Sequence, residues 1–206
     1  MKKFGLILPL CFSLVSFIYT QTVTIGNQIW MAKNLNVDKF RNGDPIPEAK
    51  TESEWQLAGE HNQPAWCYYD NDPANSGKFC KLYNWYAVND TRGLAPDGWK
   101  VPSDEEWSAL TDYLGGAAAA GSKIKSTSGW EVDGNGTNES GFTAIRGGFR
   151  DFSGQFQLGD SHGGWWSSTE KDTEEAFHRH MNSAGGAIYG GGFSKKSGFS
   201  VRCLMD

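Results

Sequence analysis

Gly98-Trp99-Lys100-Val101-Pro102-Ser103-Asp104-Glu105-Glu106-Trp107 opens the strongest helix signal in the chain. Ser103 can cap, Glu106 stands three residues on at the capping-box spacing, and Trp107, Leu110 and Leu114 recur on one helical face. The paired carboxylates Glu105 and Glu106 are first-turn acids favoured by the helix dipole. Gly115-Gly116 ends the helix. The run Ala117 to Ala120 into Ser122-Lys123-Ile124-Lys125 predicts a second, weaker helix, which Gly121 opposes. Toward the N-terminus, Thr22-Val23-Thr24-Ile25, Gly26-Asn27 and Gln28-Ile29-Trp30-Met31 read as two strands around a two-residue turn. Between Pro45 and Pro64, Thr51 and Glu54 form a second capping box ahead of a short, peripheral helix that Gly59 can stop. Beyond Trp130 short apolar pieces alternate with Gly, Asn and Ser, which is strand-and-loop text.

The chain begins with Lys2-Lys3 and an apolar run from Phe4 to Tyr19, the pattern of a secretory signal peptide. It is short for a membrane span. The text turns polar and strand-like at Gln21, so residues 1–20 are read as the leader and 21–206 as one domain. A lipid anchor on Cys11 is the rival reading, but Leu10 stands where a small residue is wanted and the apolar run continues past the cysteine. Without the leader, 17 basic side chains face 24 acidic ones. That balance argues against a nucleic-acid partner. With 26 Gly, 9 Trp and 12 Phe, the composition suits a loop-rich domain held by aromatic packing.

Six stretches in fixed order resemble the Fibrobacter succinogenes major paralogous domain family. They are Gln28 to Leu35 (QIWMAKNL), Lys81 to Val88 (KLYNWYAV), Gly98 to Trp107, Asn138 to Ala144 with Gly147-Gly148-Phe149-Arg150, Trp165 to Thr169 (WWSST), and Gly198 to Cys203 (GFSVRC). The start of the main helix and the closing Gly198-Phe199-Ser200-Val201-Arg202 are also similar to formylglycine-generating-enzyme-like domains. That second resemblance implies an α+β, C-type-lectin-like fold with short twisted sheets, one or two main helices, and N- and C-terminal strands adjacent in one sheet. It does not by itself license a function.

Three cysteines follow the leader, Cys67, Cys80 and Cys203, and in an oxidising compartment two of them are expected to pair. The family resemblance implies Cys67 with Cys203, because glycine usually stands at the position of Cys80. A local Cys67 to Cys80 bridge is the alternative.

Candidate chemistry is sparse. His178 and His180 share one face of a strand and offer two metal ligands, with no evident third. Asp70, Asn71, Asp72 and Asn75, and again Asp133, Asn135, Asn138 and Glu139, are oxygen-rich loops of the kind that hold calcium or simply turn. Ser167, Ser168 and Thr169 lie in no nucleophile motif. Trp165 and Trp166 point to opposite faces of their strand, so one is expected in the core and the other is free to offer a flat surface to a sugar ring or a protein. The expected ligand site is therefore Trp165, Trp166, Arg150, Asp160, His162 and Glu170, flanked by the loops Asp133 to Glu139 and Arg150 to His162. The sequence reads as an exported, non-enzymatic module that binds a glycan or a protein in the periplasm, at the cell surface or outside the cell, and needs no cofactor unless calcium. An enzyme of the formylglycine-generating type and a structural part of an envelope assembly are the alternatives.

Overall fold

A computed structural model describes residues 21–131 and 133–206. Residues 1–20, expected to be a leader, and Cys11 among them lie outside the described residues. The opening hairpin forms where its turn signal stands: β1 (Thr22–Ile25) and β2 (Gln28–Met31) pair antiparallel, with Ile25 opposite Gln28. Gly26 takes φ +61°, the positive value that the first position of a II′ turn requires. Helix α1 (Glu52–Glu60) begins at the Thr51–Glu54 capping box and runs through Gly59 to end at His61. It is less peripheral than its polar sequence implies, because Trp55 is fully buried with the Arg150 guanidinium 4.8 Å from its ring.

There follow β3 (Trp66–Tyr68), α2 (Ser76–Phe79), β4 (Lys81–Asn84), α3 (Trp85–Val88) and β5 (Trp99–Lys100). Then comes α4 (Asp104–Tyr113), whose capping box joins Ser103 and Glu106 and whose Trp107 and Leu110 are buried as the spacing requires. Helix α5 (Ala117–Ile124) also forms, and Gly121 is what docks it. A Cβ there would stand 2.6 Å from the Gly186 carbonyl oxygen and 2.7 Å from that of Ala187. The remaining elements are β6 (Phe149–Arg150), β7 (Phe156–Gln157), β8 (His162–Glu170), β9 (Glu175–Asn182), β10 (Tyr189–Ser194), β11 (Gly198–Phe199) and β12 (Leu204–Met205).

Among the described residues three short antiparallel sheets result, in the orders β1-β2-β12-β5, β3-β4-β11-β6-β7 and β10-β9-β8. The chain is thus α+β, and its first and last strands meet in one sheet as expected. Strand β8 is buried from Gly163 through Ser167, because both of its faces are covered. Trp165 packs with Trp107 and Phe142 on one side. Trp166 meets Phe199 edge-on at 4.8 Å on the other. The expectation that one of these tryptophans reaches the surface is therefore wrong: both are 0% exposed. Each indole N–H is also satisfied internally, Trp165 by Asn34 Oδ1 at 2.9 Å and Trp166 by the Tyr83 carbonyl at 2.8 Å.

The Cys67–Cys203 disulfide is absent, and Cys67, Cys80 and Cys203 are all free. Strand alternation supplies the reason. Trp66 of β3 joins the core cluster that holds Cys203, so its neighbour Cys67 points the other way, into the cluster of Trp55 and Leu82. Cys80 adopts φ +66° and ψ −146°, a conformation native to glycine, which accords with the glycine the family resemblance implies there.

Candidate functional site

The six expected ligand residues do not converge. Besides the two tryptophans, Arg150 is fully buried, donating from Nε to the Gly154 carbonyl and from an Nη to that of Ala49, both at 2.8 Å. Its guanidinium lies between the rings of Trp55 and Phe156, so it ties β6 to α1 and has no face for a ligand. Arg202 is a second arginine of this kind, held by Asn34 and the carbonyls of Met31 and Phe142 and pushed down to about 9 by burial. Asp160 is exposed and pairs with Arg146; Glu170 pairs with Lys195. Only His162 reaches a cavity.

That cavity follows from strand register. Pairing of β8, β9 and β10 sets His180 between Gly164 and Tyr189, and His178 between Trp166 and Gly191. Phe193 continues the same face two residues along β10, and His162 lies on it at the start of β8. Phe149 of β6 and Phe199 of β11 close the other side, leaving a cleft of about 210 Å³ that Gly148, Gly163, Gly164 and Leu158 also line. Glycine at 164 is required for this closure: a Cβ there would stand 2.5 Å from the Phe199 ring. The aromatic rings form a ladder. Phe199 stacks on His178 at 4.9 Å, His178 on His180 at 5.1 Å, and His180 on His162 at 6.4 Å. Tyr189, 45% exposed, stacks on His180 at 5.2 Å, and Leu158, 48% exposed, forms part of the lining.

Among the described residues no carboxylate, lysine or arginine lines the cleft. Burial therefore acts on the imidazoles largely unopposed and lowers the pKa of all three, His178 to about 4. His178 is neutral at pH 7. Its Nδ1–H donates to the Gly191 carbonyl at 2.9 Å, which leaves Nε2 as the unprotonated nitrogen. Nδ1 of His162 lies 2.9 Å from Ser161 Oγ, whereas Nδ1 of His180 is buried without a partner among the described residues. Such a site stacks and accepts or donates single hydrogen bonds. It holds no acid, base and nucleophile together.

The metal candidates are differently employed. His178 and His180 do share a strand face, with His162 beside them, but their rings stack face to face instead of converging through nitrogen. Among the described residues no group of three or more His, Cys, Asp or Glu is placed to hold a metal. In the first oxygen-rich loop Asp72 caps the Ala74 N–H and Asn75 donates to the Tyr69 carbonyl. In the second, Asn135 accepts from the Trp130 N–H, Asn138 accepts from the Thr143 N–H, and Glu139 pairs with Lys123. This second loop packs on the end of α5 through Thr137 and Ser122, away from the cleft-lining residues. The thiols of Cys67 and Cys203 are pushed up to about 12 by burial, which makes them inert at neutral pH. The Cys80 thiol is raised as well, burial outweighing the nearby Arg202, Lys33 and Lys81.

Phe149, Phe193 and Phe199 were not legible as site residues, since apolar residues in strand text read as core. The available signal was Tyr189-Gly190-Gly191-Gly192-Phe193, a strand too poor in side chains to cover the histidine face beside it. No helix among the described residues is long and apolar enough to cross a membrane. No curated protein and no solved structure matches the chain. The sequence pattern of the Fibrobacter succinogenes major domain, however, matches residues 23–205, and the protein belongs to that family.

Proposed function

We propose that this domain is an exported, non-catalytic binding module of C-type-lectin-like architecture, and that it engages a glycan or protein ligand at the cell envelope through the histidine and phenylalanine cleft. The observation that carries the reading is the cleft: a concave, uncharged site with three phenylalanines, three neutral imidazoles and an exposed apolar rim. The sheet shared by the two termini supports the architecture, and the basic and apolar start of the chain supports export. The two fully buried thiols, raised to about 12, speak against cysteine chemistry of the formylglycine-generating kind.

The test is a glycan array and a pull-down from envelope extract, run with the wild-type protein and with Leu158→Glu and Tyr189→Glu. Both residues are about half exposed, so the variants keep the fold while placing charge at the cleft. Loss of binding in both, with unchanged thermal unfolding, is the expected result. Binding indifferent to both variants removes the cleft as the site, and copper-dependent oxidation of a cysteine-containing peptide overturns the non-catalytic reading.

A further inference from the structure

Resting on the cleft as the binding site, we infer that its ligand is an extended protein segment that pairs with the outer edge of β10 and lays one uncharged aromatic side chain over Gly191 against His178. Two independent features of the structure meet here. The first is the edge itself. Among the described residues β10 is the outermost strand of its sheet, and its only strand pairing is with β9. None of its six residues is buried, and Tyr189-Gly190-Gly191-Gly192-Phe193-Ser194 contains no charge and no proline. Exposed edges in soluble proteins are ordinarily blunted by lysine, proline or a bulge, and an unprotected one is a template for a further strand.

The second feature is the lane that leads inward from that edge. Gly191 lies opposite His178, and a Cβ on it would meet nothing within 4 Å among the described residues. The backbone of β10 at this point is therefore an open floor between the sheet edge and the buried imidazole. Strands sit about 4.8 Å apart, so an aromatic side chain from an added strand spans the glycine and reaches His178 and Phe193. Phe193 both belongs to β10 and lines the cleft, which makes edge and cleft one continuous surface.

Polarity decides between a peptide and a sugar. A sugar ring brings several hydroxyl groups that each need a partner once desolvated, and the cleft lining offers imidazole nitrogens but no carboxylate, side-chain amide or guanidinium. A peptide satisfies its backbone along the β10 edge and places only an apolar ring in the cleft, where a single phenol or indole donor suits the Nε2 of His178.

The experiment presents the purified protein with a display library of random linear nonapeptides and, separately, with a glycan array. The variants are Gly191→Val, which fills the open lane with a strand-favouring side chain, and Tyr189→Lys, which charges the edge without touching the core. The inference predicts enriched peptides sharing one aromatic residue in an extended context. Their affinity falls on the order of thirtyfold in each variant and on changing that aromatic to Ala. N-methylating alternate amides abolishes binding in one register and spares it in the other. Enriched peptides that lack an aromatic residue, or that bind Gly191→Val and Tyr189→Lys unchanged, overturn the inference. Glycan binding lost in Gly191→Val without any peptide selected overturns it too, while leaving the cleft as the binding site. A ligand of either class that ignores all the cleft variants overturns both readings.

Discussion

Lowering the pH toward 4 destabilises this domain through its buried imidazoles, and His178 dominates. Folding depresses its pKa from 6.5 to about 4, burial being the larger cause and the hydrogen bond to Gly191 opposing it. The depressed value means that the folded state favours the neutral ring and the unfolded chain binds the extra proton. Stability is thus fully present above about pH 6.5, declines as pH falls between 6.5 and 4, and levels off below. Between those two values each pH unit corresponds to about 1.4 kcal/mol, so the loss is about 2.5 kcal/mol between about pH 7.5 and 4.5 and about 3 kcal/mol by pH 4. With 6% of its surface exposed, His178 loses little of this to solvent screening. His162 and His180 are lowered as well and add in the same direction. Asp90, Asp151 and Asp172, whose carboxyls are lowered from 3.8, act mainly at lower pH; at the acid edge of the window Glu54, lowered as well, adds to the histidines, and Asp70, raised by burial, opposes them. Urea unfolding at several pH values measures the effect as a midpoint falling by about 1 M. In His178→Phe, whose ring packs between Phe193 and Phe199, most of that pH slope disappears even if stability at pH 7.5 is lower. A slope between pH 6.5 and 4.5 equal in the two proteins refutes the reasoning.

Other expectations follow from packing and backbone. Trp165→Ala and Trp166→Ala each cost about 3–5 kcal/mol in urea unfolding, as cavity-forming changes in two covered layers. Gly121→Ala lowers the melting temperature: the gain of about 1 kcal/mol in helix propensity is outweighed by about 1–3 kcal/mol of overpacking against the carbonyls of Gly186 and Ala187. Cys80→Gly raises stability by about 1 kcal/mol, the relief of its φ +66° backbone exceeding the entropy cost of glycine, and thermal unfolding reads the change. In thiol titration with an aromatic disulfide Cys80 reacts in the native protein, whereas Cys67 and Cys203 react only on unfolding.

Local structure was largely legible in the sequence because it is decided by near neighbours. The Gly26-Asn27 turn and the two capping boxes each place both partners within a few residues, and β1, β2, α1 and α4 form where those signals stand. What sequence could not show is which faces are covered. Alternation correctly sends Trp165 and Trp166 to opposite sides of β8, yet only the packing of α4 on one side and β11 on the other shows that both sides are interior. The same limit misplaced Cys67, whose direction on β3 depends on Trp66 facing the other cluster. It also hid the cleft, since Phe149, Phe193 and Phe199 come from three strands and converge only because Gly164 lets Phe199 cross β8. Gly121 was weighed for its helix propensity, when its missing Cβ is what admits the 186–187 backbone.

The most direct test maps the ligand onto the protein by NMR. The tightest-binding peptide or glycan from the screens is titrated into isotopically labelled protein, and backbone and imidazole resonances are followed residue by residue. The largest changes are expected on Gly163-Gly164, His178 to His180 and Gly191 to Phe193, with Asp133 to Glu139 unmoved. Largest changes on Asp133 to Glu139 or on α1, with the three imidazoles silent, contradict it.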